Sequence, residues 1–256
     1  GAGLASIIDN AGQDWIGFHD IAGSRTAGEY RGIPNLVFTA GNAAASFFHP
    51  GFDNATSQLI SHGPLKVAIR SVTNDGANEW VLLWEFYQSF ARLTVEQTGS
   101  SNGGDYWFLY EGTPGGGLDP GDMVVRSDGT ATSAMDNGDQ WEMALADPQW
   151  LYFHDTAAAR YLYVSDDMGD NALDAYRSQG QTSSSTPEMT VFGLGRVLDT
   201  TANSLVPRMS GSGRTFTIGL GEDNTTAPAE ITGAYLPLAV AMGDPVNDVS
   251  AVGNAL

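Results

Sequence analysis

Leu65-Lys66-Val67-Ala68-Ile69-Arg70-Ser71-Val72 alternates apolar with polar or small side chains, Asn74-Asp75-Gly76 reverses the chain, and Trp80-Val81-Leu82-Leu83-Trp84-Glu85-Phe86-Tyr87 follows. A period of two places successive side chains on opposite faces of an extended strand, and an Asp-Gly step tolerates the backbone of a tight turn, so this stretch predicts a β-hairpin. The pattern continues outward. Ala91-Arg92-Leu93-Thr94-Val95-Glu96 and Tyr106-Trp107-Phe108-Leu109-Tyr110-Glu111 flank a Gly/Ser/Asn turn over 98–104. Further strands are expected at Met123 to Arg126, Trp150 to His154, Arg160 to Val164, Thr190 to Leu194 and Arg214 to Leu220. Helical periodicity is confined to two short pieces, Ala40 to Ser46 and Ile231 to Val240, the second weakened by Pro237. With 32 glycines available for turns, the economical architecture is all-β: an antiparallel two-sheet sandwich, of supersandwich or jelly-roll type, with very little helix.

At 256 residues the chain can bury a sizeable core, and sandwiches of this length are commonly one domain. Residues 1–244 are expected to form it, and Pro245 to Leu256 a tail or linker. Thr113 to Gly117 and Ser178 to Pro187 read as long loops, and no repeat of 20 to 50 residues marks a propeller or solenoid. The absence of cysteine removes disulfides and thiolate zinc sites. No apolar run is long enough for a membrane helix, so the chain reads as a mature form, secreted or periplasmic. A formal charge of −19 repels nucleic acid and anionic membranes. Ten of the eleven basic residues are arginine, whose fork suits planar oxyanions.

Two stretches carry a resemblance. Gly3 to Gly12 with Asp14-Trp15-Ile16-Gly17, read as strand and turn, resembles the start of the β-sandwich domains of mutarotase-like sugar enzymes and polysaccharide lyases. Trp84 to Tyr87 followed by Ala91 to Val95 looks like the paired strands of the same sandwiches, and the pattern extends over roughly residues 1–220. The resemblance implies a carbohydrate-active protein.

Candidate chemistry follows from residue types. A lyase acting on a uronic-acid-containing polysaccharide needs a neutraliser for the sugar carboxylate, a base for the α proton and an acid for the leaving oxygen. Asn35 or Arg31 could neutralise, His49 could be the base, and Tyr30 or Tyr110 could protonate the leaving group by β-elimination. Trp84, Tyr87, Trp107, Glu111 and His154 are the expected substrate contacts, on the view that some rings of the aromatic strands face an open sheet surface. The acidic run offers Asp166, Asp167, Asp170 and Asp174 to a structural calcium, and no cofactor is otherwise required. His19-Asp20 and His154-Asp155 invite a histidine-bound metal, but no HxH or HExxH spacing supports one. Two alternatives stay open: a non-catalytic carbohydrate-binding module, or an epimerase or glycosidase, for which Glu85 and Glu111 are strand-borne carboxylates.

Overall fold

The computed structural model describes residues 2–18, 31–39, 47–48, 55–74, 79–99, 105–119, 121–133, 140–179, 189–198 and 209–235. Along them run β1 (Gly32–Thr39), β2 (Phe47–Phe48), β3 (Ala55–His62), β4 (Val67–Asn74), β5 (Glu79–Phe86), β6 (Ala91–Gln97), β7 (Trp107–Gly112) and β8 (Met123–Arg126). Then come β9 (Ala131–Ser133), β10 (Gln140–Met143), β11 (Trp150–His154), β12 (Tyr161–Asp166), β13 (Asp174–Gln179), β14 (Met189–Leu194) and β15 (Arg214–Gly221). One helical turn, α1 (Ala227–Glu230), continues into a π-helical turn at Ile231–Tyr235. The expected all-β two-sheet sandwich is therefore the observed one.

A six-stranded sheet runs β10-β13-β14-β7-β1-β2, and a nine-stranded sheet runs β3-β4-β5-β6-β15-β12-β11-β8-β9, every pairing antiparallel. The hairpin that decides the fold pairs Val67 with Phe86 and Asn74 with Glu79. Between the sheets lies the principal core, where Trp80, Leu82 and Trp84 of β5 meet Phe108 and Tyr110 of β7, Phe192 of β14 and Phe216 of β15. Trp80 meets Tyr106 edge-on at 5.5 Å and Phe108 meets Phe216 at 4.4 Å, geometries that suit the quadrupoles of the rings.

The nine-stranded sheet is also covered on its other face. Phe90, Trp150, Tyr152, Tyr161 and Tyr163 pack there under Ala227 and Ile231 of the C-terminal turns. Glycines on β15 make this close packing possible: Gly219 and Gly221 lie opposite Tyr163 and Tyr161 in register, and a Cβ at either would overlap the neighbouring ring.

The opening segment, expected as a strand, contributes only two bridges, Leu4 to Ile33 and Ile8 to Asp14. Asp9 explains the difference. Its Oδ1 accepts the N–H groups of Ala11 (2.8 Å) and Gln13 (3.0 Å), so the carboxylate holds a local turn in place of a ladder. The expected Thr113–Gly117 loop contains a 3-10 turn at Pro114–Gly116. The helix expected from Ile231 begins earlier, at Ala227, and its later residues lie outside the described ones, as do Ala40 to Ser46, Pro245 to Leu256 and most of Ser178 to Pro187.

Candidate functional site

At one end of the sandwich a cavity of about 640 Å³ opens between the N-terminal hook, the turn joining β5 to β6, the end of β15 and the start of β12, with Glu230 of α1 beside them. Its apolar wall comes from Leu4 and Ile7 of the hook and from Phe86, Leu162, Ile218 and Leu220, strand residues whose alternate neighbours face the other side. Tyr87 and Phe90 add rings from the turn, stacked on each other at 4.7 Å. The Tyr87 N–H donates to the Phe90 carbonyl at 2.9 Å, which fixes the turn that carries both.

The polar rim is equally constrained. Arg160 precedes β12 and donates from Nη1 to Asp9 Oδ2 at 2.6 Å, while its Nε lies 3.5 Å from Glu222 Oε2. Asn10 donates from Nδ2 to Glu222 Oε1 at 2.5 Å. Asp9 also accepts the Trp15 indole N–H at 3.1 Å, and Trp15 is itself fully buried. Burial alone would push the Asp9 carboxyl up, but the donors of Gln13, Trp15, Arg160 and Ala11 together hold it below the ordinary carboxylate range. Asp9 is therefore a firmly anionic anchor for the Arg160 guanidinium. Glu230 closes the rim, its Oε2 accepting the Tyr161 hydroxyl at 2.5 Å and its Oε1 that of Thr226 at 2.7 Å. Concave apolar walls with a few convergent polar groups are the usual form of a small-ligand site.

The residues expected to bind or act on substrate fall in different places. Tyr87 is the one expected substrate contact that lines this cavity. Trp84, expected on an open face, is in the core with its indole N–H donated to the Ala2 carbonyl at 2.7 Å, because Trp80, Leu82 and Trp84 share the inward face of β5. Trp107 is likewise buried, against Leu109 and Val197 on the outer side of the six-stranded sheet. Tyr110 is fully buried and donates its hydroxyl to the Trp15 carbonyl at 2.6 Å, with burial pushing its ionisation far up; a phenol so placed faces protein and not a leaving group. His154 ends β11, half-buried. Desolvation lowers its pKa against the opposing pull of Asp122 and Asp155.

A second polar cluster does gather residues expected together. The Asn35 carboxamide on β1 donates to the Glu111 carboxylate on β7, and Arg31 donates to the Thr113 hydroxyl just beyond that strand. Both Glu111 and Arg31 are buried. Burial drives the Glu111 carboxyl up to about 7, while Asn35, Arg196 and Arg31 pull the other way. Arg196 is lowered to about 10 by its own burial. Glu85, the other carboxylate proposed as a glycosidase partner, stands on β5 in the opposite sheet, paired with Lys66 at 2.8 Å. His49 and Tyr30 lie outside the described residues, as does His19.

The acidic run is engaged by protein donors. Arg214 donates to Asp166 and, at 2.9 Å, to Asp170. Asp167 accepts the hydroxyls of Ser165 and Thr217, each at 2.8 Å. Asp174 accepts the backbone N–H groups of Leu145 and Gly195, each at 3.0 Å. Among the described residues no group of three or more His, Cys, Asp or Glu side chains is arranged to hold a metal ion. The four aspartates expected around calcium thus point to a guanidinium, two hydroxyls and two amides.

Most of the cavity carries no local sequence signal: Asp9, Asn10, Arg160, Glu222 and Glu230 are drawn from three distant segments. The Asp9–Arg160 pair spans 151 residues and the Asn10–Glu222 pair 212. Only the Asp9-Asn10-Ala11-Gly12 turn signature was visible locally.

No known family matches the chain, and neither does any curated protein. Among solved structures, the chain is similar to the Slr1438 protein from Synechocystis sp. PCC 6803, at 12% identity and a TM-score of 0.45 over 83% of this chain and 86% of that one. It is also similar to a bacterial glucoamylase complexed with acarbose, at 10% identity and a TM-score of 0.43, covering 82% of this chain and 30% of that much longer one.

Proposed function

We propose that the protein is a secreted carbohydrate-binding β-sandwich that receives a sugar unit of a polysaccharide in the end cavity. The observation that carries this reading is the joining, in about 640 Å³, of an aromatic and aliphatic wall to a hydrogen-bonding rim of Asp9, Asn10, Arg160, Glu222 and Glu230. A pyranose presents C–H faces that pack on rings such as Tyr87 and an equator of hydroxyls that need donors and acceptors in fixed positions. Rigid strands hold the wall, and the Asp9 anchor holds the rim. The test is isothermal titration and affinity electrophoresis against a panel of neutral and acidic polysaccharides. Retardation by at least one polymer, lost in Tyr87→Ala, is expected; a panel without a single binder sinks the reading.

A second reading, a lyase cleaving a uronic-acid-containing polysaccharide by β-elimination, is favoured by the convergence of Asn35 and Arg31 on the Glu111 region. Asn35 and Arg31 are the carboxylate neutralisers in this reading. A buried carboxyl titrating near neutrality can exchange a proton with substrate, so Glu111 joins His49 as a candidate for the base. Ultraviolet absorbance of the unsaturated product decides it. A rise with an acidic polymer, abolished by His49→Ala or Glu111→Gln, establishes the lyase, whereas retardation without product leaves the binding module.

A further inference from the structure

We infer that the end cavity selects a neutral or amino sugar and discriminates against a uronate; the inference rests on the reading of that cavity as a sugar site. Among its described lining residues, Arg160 is the one cation, and three carboxylates line the same cavity: those of Asp9 and Glu222, which Arg160 pairs with, and that of Glu230. A carboxylate ligand would need the Arg160 fork. Two of its three nitrogens are engaged, Nη1 at 2.6 Å by Asp9 and Nε at 3.5 Å by Glu222.

The two engagements differ in how readily they yield. The Asp9 side chain is 1% exposed and is held by the N–H groups of Ala11 and Gln13 and the indole of Trp15. Withdrawing Arg160 would leave a buried anion without its counter-charge, a costly change. Glu222 is 65% exposed and can swing, but its departure would still leave the incoming carboxylate beside Asp9. A uronate therefore enters a rim of net charge −2, counting three carboxylates against one guanidinium, and the chain's overall −19 adds repulsion at longer range.

Hydroxyl groups meet the opposite situation. The exposed Glu222 carboxylate has lone pairs beyond the one that accepts Asn10, and a carboxylate accepts two vicinal hydroxyls in fork geometry. An ammonium group on the sugar gains the same hydrogen bonds together with charge attraction to Glu222 and Glu230. The arrangement explains why arginine here serves to fix carboxylates as acceptors and is not itself the ligand's partner.

Three matched probes test the inference on the intact chain by isothermal titration: a neutral β-glucan oligosaccharide, a de-N-acetylated chitooligosaccharide, and an oligogalacturonate of the same length. The neutral and amino probes are expected to bind, the amino probe losing affinity as salt is raised, and the uronate is expected to bind at least about tenfold more weakly. Glu222→Gln, a change at an exposed side chain whose fold near-ultraviolet circular dichroism can verify, should bring the uronate closer to the neutral probe. Uronate binding as tight as or tighter than the neutral probe overturns the inference while leaving the sugar site standing. Silence from all three probes overturns the sugar reading itself, and this inference with it.

Discussion

Two guanidiniums in this molecule sit between pairs of carboxylates, and their surroundings make them different devices. Arg214 on β15 bridges Asp166 and Asp170 in a closed setting, with side-chain exposures of 11%, 1% and 19%. Arg160 bridges Asp9 and Glu222 at the mouth of a cavity, where Glu222 is largely in solvent. The first cluster is mostly enclosed and serves the fold. The second keeps one anchored and one movable carboxylate next to open volume, which is what a site needs. Identical chemistry thus becomes a clamp or a rim according to what packs around it.

Removing the Arg214 clamp should have the greatest consequence. Arg214→Met should cost about 3–5 kcal/mol in chemical denaturation, because Asp166 is left buried without its counter-charge, and should leave saccharide affinity of the remaining folded protein unchanged. A loss well under 1 kcal/mol would show that the cluster is solvated and no more a clamp than the Arg160 rim.

Arg160→Met is expected to cost less, about 2 kcal/mol, since Asp9 keeps its backbone and indole donors. Its main consequence is functional: affinity for any bound sugar should fall, because Glu222 loses the guanidinium that orients it beside the cavity. Retained affinity in this variant would detach the rim from binding.

A third neighbourhood, Glu111 among Asn35, Arg196 and Arg31, responds to pH. Burial raises the Glu111 carboxyl to about 7, so the fold favours its neutral form. That contribution to stability is fully present below the ordinary carboxylate pKa and is lost as pH rises through about 7. Asp174, raised to about 7 by burial, acts in the same direction, whereas Asp9, held low, adds stability that disappears only on acidification. Melting temperature should therefore decline by a few degrees between about pH 5 and about pH 8, and Glu111→Gln should flatten part of the decline. An undiminished slope in that variant would place the titration elsewhere.

The smallest expected effect concerns calcium. With Arg214 supplying positive charge to Asp166 and Asp170, chelator or added calcium should leave the melting temperature within about 1 °C. A clear rise with calcium would mean that the loop takes an ion in addition to its guanidinium.

How much could be read in advance depended on range. The hairpin of β4 and β5 was legible because alternation and a turn signal lie within one short stretch. Strand β3, Ala-Thr-Ser-Gln-Leu-Ile-Ser-His, has no legible pattern: it is an edge strand exposed along its whole length, so no buried face imposes alternation on it. Strand β13, Asp-Ala-Tyr-Arg-Ser-Gln, straddled an acidic run and a serine-rich run and was hidden by both. Among candidate site residues, Asn35, Arg31 and Glu111 were named on residue type, and adjacent strands β1 and β7 brought them near one another. The aromatic face was misplaced for a topological reason. Trp80 and Trp84 on β5 point inward, while rings on the outer face of the nine-stranded sheet come from β11 and β12 and are capped by the C-terminal turns.

By itself, then, the chain of residues determined the strand content, the turns, the lack of disulfides and the strongly acidic surface, because each of these depends on neighbours in sequence or on composition alone. Only the tertiary structure decided which arginine is a clamp and which borders a cavity, and which tyrosine meets solvent. Those outcomes depend on contacts between segments as far apart as Asn10 and Glu222, and on burial, which sets the strength of every charge in the molecule.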